Sequence, residues 1–242
     1  MRILIISDIH ANLTAFEAVL ADAKDQWDEI WCLGDVIGYG PDPNECVALL
    51  REHKHMTLTG NHDWAALGRL DISNFNQDAR RAIEWTQNAL TDETRAYLDP
   101  IAPDDLRGEF TLAHGSPREP VWEYITDSFI AWENFDHFKT TYCLVGHTHY
   151  PVVFEQDEEF GAQAFHADYD GPLQLNDTRM IINPGSVGQP RDSNPDAAYA
   201  LLNLDTLIWQ HKRVSYDISA TQQRMRAHGL PPRLIARLKH GW

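Results

Sequence analysis

Five short blocks of the sequence carry side chains that bind metals or move protons: Asp8-Ile9-His10, Gly34-Asp35, Gly60-Asn61-His62-Asp63, His114-Gly115 and Gly146-His147-Thr148-His149. Each sits at the end of an apolar run: residues 3–6, 29–33, 55–59, 109–113 and 141–145. Taken singly, a histidine after such a run is more often a surface or satisfied residue. Five together have no cheap structural explanation, because carboxylates, imidazoles and an amide packed without a cation leave charges and dipoles poorly paired. Carboxylate, imidazole and one amide oxygen suit Mn²⁺, Fe or Zn²⁺, and no thiolate is offered. The candidate ligands are Asp8, His10, Asp35, Asn61, His114, His147 and His149. They are too many for one tetrahedral site and enough for two ions if one carboxylate bridges. Two ions about 3.5–4 Å apart clamp an in-line attack on phosphorus. His62 remains over, with an imidazole that donates a proton near neutral pH. Asp63 beside it either orients that ring or simply caps or salt-bridges.

These blocks need elements that bring them together. The Ile-rich opening reads as a strand buried on both faces, as inside a parallel sheet. If its end stays extended, Asp8 and His10 point to the same side, and ligands of open α/β sheets bind at the carboxyl ends of strands. Gly34, Gly60, Gly115 and Gly146 suit sharp exits. Leu13, Phe16, Leu20 and Ala23 share a helical face; residues 29–33 read as a strand, 43–51 as a helix with Pro43 near its first position, and 55–59 as a strand. The order βαβαβ implies parallel strands with right-handed crossovers. Residues 71–106 read as a helical insertion, with helices at 77–89 and 92–98. Strands follow at 109–113, 141–145 and 180–182, with a helix around 129–138. Residues 152–175 are acidic and turn-rich, a hairpin or loop. Residues 198–204 and 209–216 read as an antiparallel pair. The helical tail, 219–240, carries Arg224, Arg226, Arg233, Arg237 and Lys239 and reads as a solvated face.

A chain of 242 residues, 43% hydrophobic, suits one domain spanning 1–242. No apolar run approaches the roughly 18 residues of a membrane span, and no cleavage pattern of a signal peptide is seen. Three scattered cysteines without a CxxC indicate buried thiols in a reducing compartment, hence the cytoplasm. A formal charge of −16 repels nucleic-acid backbone and anionic membrane. It leaves room for a small phosphate ester, because bound divalent cations invert the field locally.

In this order the five blocks resemble the calcineurin-like metallophosphoesterases, whose signature runs Asp-x-His, Gly-Asp, Gly-Asn-His-Asp/Glu, a lone His and Gly-His-x-His. The match spans residues 8–149. The resemblance implies an α/β fold (α+β in some schemes): a four-layer αββα sandwich of two mixed sheets flanked by helices, the second sheet built from strands beyond residue 150. It implies that Asp8, His10 and His149 hold one metal, that Asn61, His114 and His147 hold the other, and that Asp35 bridges. His62 contacts the phosphate and protonates the leaving oxygen. The implied activity is hydrolysis of phosphodiesters or small phosphate esters, such as cyclic nucleotides or dinucleoside polyphosphates, by in-line attack of a metal-bound hydroxide. The implied cofactors are two divalent ions, Mn, Fe, Zn or Ni, with Mn favoured.

Departures narrow the group. Gly34-Asp35-Val36-Ile37-Gly38-Tyr39-Gly40 lacks the Asp and Arg of the Gly-Asp-x-Val-Asp-Arg-Gly motif of Ser/Thr protein phosphatases. The stretch from Asn183 to Arg191 is similar to the Asn-Pro-Gly-Ser…Pro-Arg segment of small prokaryotic phosphodiesterases. Arg191 there could fork onto a phosphate or form a surface salt bridge. Asn12 and Tyr39, close in sequence to ligands, are expected to touch substrate. The alternative is a non-catalytic metal-binding scaffold of the same fold, against which the complete ligand set and His62 argue. The His-x-His-x-Asp-His motif of β-lactamase-like hydrolases is absent.

Overall fold

A computed structural model of the chain describes residues 1–166 and 171–242. The opening run forms β1 (Arg2–Ile6), buried from its second residue on. It is followed by α1 (Leu13–Asp22), β2 (Glu29–Cys32), α2 (Pro43–Arg51) and β3 (His55–Thr57), and β1, β2 and β3 pair in parallel as expected. Next come α3 (Asn61–Ala66), α4 (Gln77–Ala89), α5 (Asp92–Leu98), β4 (Asp104–Arg107), β5 (Phe110–Ala113), α6 (Ser128–Asn134) and β6 (Tyr142–Val145). The chain finishes with β7 (Val152–Asp157), β8 (Gly161–Phe165), β9 (Pro172–Gln174), β10 (Met180–Asn183), β11 (Ala197–Asn203), β12 (Ile208–Val214), α7 (Ile218–Ala227) and α8 (Pro232–Arg237).

Among the described residues two six-stranded sheets result, in the orders β3-β2-β1-β11-β12-β9 and β4-β5-β6-β10-β7-β8. Alternation along β1 explains how they stack. Ile3 and Ile5 face the second sheet and, with Trp209 of their own sheet, meet Leu112, Leu144 and Ile182. Leu4 and Ile6 face outward onto Phe16, Val19, Val47 and Leu50 of α1 and α2. On the far side, Ala131 and Phe135 pack on Cys143, Val145 and Ile181. The layers are therefore α, β, β and α.

The strands beyond residue 150 do not all build the second sheet. The antiparallel pair β11–β12 joins the first, with Leu4 opposite Leu201. A strand buried on both faces still needs a backbone partner on each edge, and the apolar run of β11 supplies it to β1. The helical insertion ends at α5. Residues 104–107 form β4, an exposed edge strand turned onto β5 through Gly108 at φ +60°. Its exposed residues show no apolar alternation, so it is silent in the sequence. Residues 152–165 form the β7–β8 hairpin; residues 167–170 of the acidic segment lie outside the described residues.

The tail is two helices broken at Gly229–Pro231, and it is not merely a solvated face. Met225, Leu230, Leu234 and Leu238 pack on Ala79, Ala82 and Tyr39. Each fully buried leucine contributes roughly 1.5–3 kcal/mol, which is what holds a helix as short as α8 in place. Arg224 forks onto Asp42 (Nη2–Oδ2 2.8 Å) and reaches the Thr14 hydroxyl, tying α7 to the start of α2. Among the described residues no helix is long and apolar enough to cross a membrane. Cys32, Cys46 and Cys143 are buried free thiols.

Candidate metal centre

The site lies where the two sheets meet. β1, β2 and β3 of one sheet and β5 and β6 of the other all end there, so the expected single sheet edge is in fact a seam. Main-chain bonds sew the exits together: Asp8 N–H donates to Gly34 O (3.0 Å), His10 N–H to Asp35 O (2.9 Å) and Gly146 N–H to His114 O (2.8 Å). The exits are not extended. Asp8, His10, Asp35, His147 and His149 all have φ between +48° and +65°, a region that costs non-glycine residues of order 1 kcal/mol or more and recurs at ligand sites. Asp8 and His10 still meet in one cluster, through successive tight turns rather than strand alternation.

Two triads form. Ligand atoms of Asp8, His10 and His149 lie within 4.8 Å of one another, and so do those of Asp35, His114 and His147. His149 Nε2 is 3.3 Å and His10 Nε2 3.7 Å from Asp8 Oδ1. Asp35 Oδ2 stands between the triads, 3.3 Å from His114 Nε2 and 3.7 Å from His10 Nε2. Four imidazoles are held by main-chain carbonyls: His10 Nδ1 by Ile37 (3.2 Å), His114 Nδ1 by Leu33 (2.8 Å), His149 Nδ1 by Gln189 (2.6 Å) and His147 Nε2 by Trp122 (3.2 Å). A carbonyl only accepts, so those nitrogens carry the proton and a neutral ring turns its lone pair inward.

The result is an excess of buried acceptors. Asp8 Oδ1, Asp35 Oδ2, Asn61 Oδ1 and His114 Nε2 have no hydrogen-bond partner among the described residues. His10 Nε2 and His149 Nε2 face each other at 3.0 Å, both as lone pairs. Divalent cations resolve every one of these frustrations, and the donor set suits a borderline metal. Burial favours neutral rings at His10, His147 and His149, all held well below the usual histidine range, which is the state a metal ligand needs. Burial likewise raises Asp8 to about 6. At His114 burial works downward, but the Asp35 carboxylate outweighs it and raises the ring to about 9; Asp35 itself is held far below the carboxylate range by His114, His62 and His10, against its own burial.

His62 begins α3 beside Asn61. Its ring lies 4.1 Å from the Tyr39 ring, 5.0 Å from His10 and 5.5 Å from Phe75. Burial first, then the Arg191 and His114 charges, bring it down to about 4 against the pull of Asp35. Arg191 reaches the same place, its guanidinium 5.9 Å from the Tyr39 ring centroid.

Two sequence expectations change. Asp63 does not orient His62: its carboxylate takes the N–H groups of Gly60 (2.9 Å), Ile37 (3.1 Å) and Val36 (3.4 Å), pinning the two loops and capping α3. Asn12 is not available to substrate. It is buried, accepts from Ala15 N–H and Thr221 Oγ1, and donates to Gly188 O and the Tyr216 hydroxyl.

Other participants gave little signal. The exposed Tyr124 stacks on His147 at 3.7 Å, and Trp122 lies 5.3 Å from Phe75, so an aromatic rim surrounds the mouth. The loop bearing them is clasped by Glu123, which accepts from Ser116 Oγ (2.7 Å), Asn134 Nδ2 (2.8 Å) and Arg118 Nε (3.1 Å). Burial opposes ionisation of Glu123, but these donors outweigh it and pull the carboxyl from 4.5 to about 2. A depressed carboxyl stabilises the fold above its unfolded value and loses that contribution as pH falls toward 2. Glu123→Gln is expected to cost about 1–2 kcal/mol at pH 7 and almost nothing near pH 2. Urea unfolding of both proteins at the two pH values checks this, and an equal deficit at both would contradict it.

The family model for the calcineurin-like phosphoesterase superfamily domain matches residues 1–207. The chain belongs to this superfamily. This phosphoesterase is 47% identical to a metallophosphoesterase from Sphaerobacter thermophilus, whose crystal structure covers 100% of this chain and 99% of its own with a TM-score of 0.92. It is 36% identical to an uncharacterised protein of Methanocaldococcus jannaschii over 98% of this chain and 96% of the relative. Phosphodiesterase YfcE of Escherichia coli strain K12 is 28% identical over 86% of this chain and 90% of its own. The protein is thus a hydrolase of phosphoesters that carries two His/Asp clusters suited to metal.

Proposed function

We propose that this phosphoesterase holds two divalent cations, Mn²⁺ serving best, and hydrolyses phosphodiesters or small phosphate esters, nucleotides among them, in the cytoplasm. The observation carrying the proposal is the convergence of partnerless buried acceptors from Asp8, Asp35, Asn61 and His114 on one seam. Asp8, His10 and His149 hold one ion, Asn61, His114 and His147 the other, and Asp35 serves both. Such a pair supplies a nucleophilic water of lowered pKa and a Lewis-acidic clamp on the phosphoryl oxygens. The chain's own side chains do the rest. His62 lends a proton to the departing ester oxygen, the negative charge of the arriving phosphate lifting the ring from the low value that burial imposes on it. Its Nδ1 is sealed from solvent, so the transfer runs through Nε2. Tyr39, tilted against it, and Phe75, edge to face, pack on that ring and hold it, and Arg191 offers a guanidinium to a non-bridging oxygen. The organic group lies against the Phe75, Trp122 and Tyr124 rim. The charge of −16 disfavours extended nucleic acid as a partner.

The test strips the protein with chelator and assays bis-p-nitrophenyl phosphate with Mn, Fe, Zn, Ni and Co in turn. Stripped protein is expected to be inactive, and Mn²⁺ to restore turnover at about two ions per chain. Two bound ions without turnover on any ester would support the scaffold reading instead, and inactivity with all five metals together with no metal uptake would remove both.

A further inference from the structure

Main-chain carbonyls aim four rings at the metal centre, and three of the residues that own them are buried: Leu33 and Ile37 fully, Gln189 at 2% exposure. The fourth, Trp122, is 41% exposed. Its carbonyl also grips its ring from the opposite end. His10, His114 and His149 are held at Nδ1 and turn Nε2 to the seam, whereas His147 is held at Nε2 (3.2 Å) and offers Nδ1. The main chain of His147 is fixed by its N–H to Asp8 Oδ2 (3.0 Å). The seam therefore sets where that residue stands, and the loop bearing Trp122 sets where its ring points.

That loop runs from His114 to α6 with neither strand nor helix in it. It folds back on itself: Gly115 N–H donates to Pro120 O (2.6 Å), and a Cβ on Gly115 would fall 3.0 Å from the carbonyl oxygens of Glu119 and Glu123. Glu123 ties it to the body of the protein. Its carboxylate gathers Ser116 Oγ near the start of the loop, Asn134 Nδ2 of α6 and Arg118 Nε, and Arg118 in turn reaches Glu133 of α6 (3.0 Å). In the chain Glu123 stands between the two residues that touch His147. Trp122 takes its Nε2–H, and the Tyr124 ring stacks on it at 3.7 Å with the planes 26° apart. The loop thus leaves from one ring of a triad, His114, and returns to aim another, His147.

A carbonyl aims a ring only as firmly as it is itself held. The partners behind a ligand commonly account for about ten- to hundredfold in metal affinity. In the other triad those partners are fastened in the interior: Ile37 N–H by Asp63 (3.1 Å) and Gln189 N–H by Ser186 Oγ (2.8 Å). Only the His147 side depends on a clasp at the surface. Resting on the dinuclear reading above, we propose that Glu123 is a positioning residue for one of the two ions: by holding the 115–124 loop it sets how tightly Asn61, His114 and His147 bind their ion, and it leaves the ion of Asp8, His10 and His149 untouched.

Calorimetric titration of Mn²⁺ into the chelator-stripped chain tests it in two backgrounds that each keep one ion. His149→Ala keeps the ion of Asn61, His114 and His147, and His147→Ala keeps the other. Glu123→Ala is expected to weaken Mn²⁺ binding about ten- to hundredfold in the His149→Ala background and less than about twofold in the His147→Ala background. Glu123→Gln, which retains one accepting oxygen, gives a smaller loss in the first and none in the second. Thr91→Ala removes the side-chain cap of α5 (3.2 Å to Thr94 N) at a comparable cost in stability. It is expected to keep both affinities, which separates the aiming of a ring from stability alone. Equal weakening in both backgrounds, or none in the His149→Ala background, overturns the proposal. Two ions taken up by the unsubstituted protein, with neither Glu123 variant changing either affinity, would sink this inference alone. No uptake by the unsubstituted protein would remove the dinuclear reading and this inference with it.

Discussion

Asp35→Asn is expected to lower kcat/KM on bis-p-nitrophenyl phosphate by at least about a thousandfold, roughly 4 kcal/mol of transition-state stabilisation, and to drop bound metal from two ions per chain toward one. The reasoning is geometric. Oδ2 is the acceptor standing within 3.7 Å of ring nitrogens from both triads. An amide in its place either turns N–H groups onto those nitrogens or offers one neutral oxygen where a charged one served two cations. The remaining oxygen can still accept His62 N–H, as Oδ1 does at 2.9 Å, so the start of α3 survives and lost activity is not lost fold. Elemental analysis beside kinetics is the check. Two ions retained with activity within tenfold would show that Asp35 is not shared.

His62→Gln is expected to reduce kcat by a hundredfold to ten-thousandfold, the usual range for a general acid, with the metal content unchanged. Its diagnostic is the leaving group. A nitrophenolate departs without needing a proton, so the loss should be mild on nitrophenyl esters and severe on alkyl phosphodiesters of the same charge. Equal losses on both would mean that the ring only positions the phosphate, and that the proton reaches the leaving oxygen from water.

Much of this site was legible because the chemistry sits at strand ends. An apolar run announces a strand, and Asp, Asn or His directly after it announces the exit, so the five blocks and the β1–β3 order needed only local pattern. The sorting of strands into sheets was not local: β11 belongs beside β1 because of which edge lacked a backbone partner, and the paired residues, from Ile5 and Ala200 to Arg2 and Asn203, are far apart in the chain. Asp63 and Asn12 show another limit. A carboxylate or amide near a helix start serves equally as cap or ligand, and only the positions of Gly60, Ile37 and Gly188 decide it. Tyr124 left no signal because an aromatic in a loop has many ordinary uses.

The carbonyl partners of His10, His114, His147 and His149 bear on how this protein can change over generations. Every residue type owns a carbonyl, so no exchange of side chain at Leu33, Ile37, Trp122 or Gln189 deletes the atom that aims each ring. Drift by point mutation can rewrite the surroundings freely. A single-codon deletion in one of those loops, by contrast, would misdirect a histidine at a stroke, and lineages carrying this centre should tolerate substitution there far better than changes in loop length.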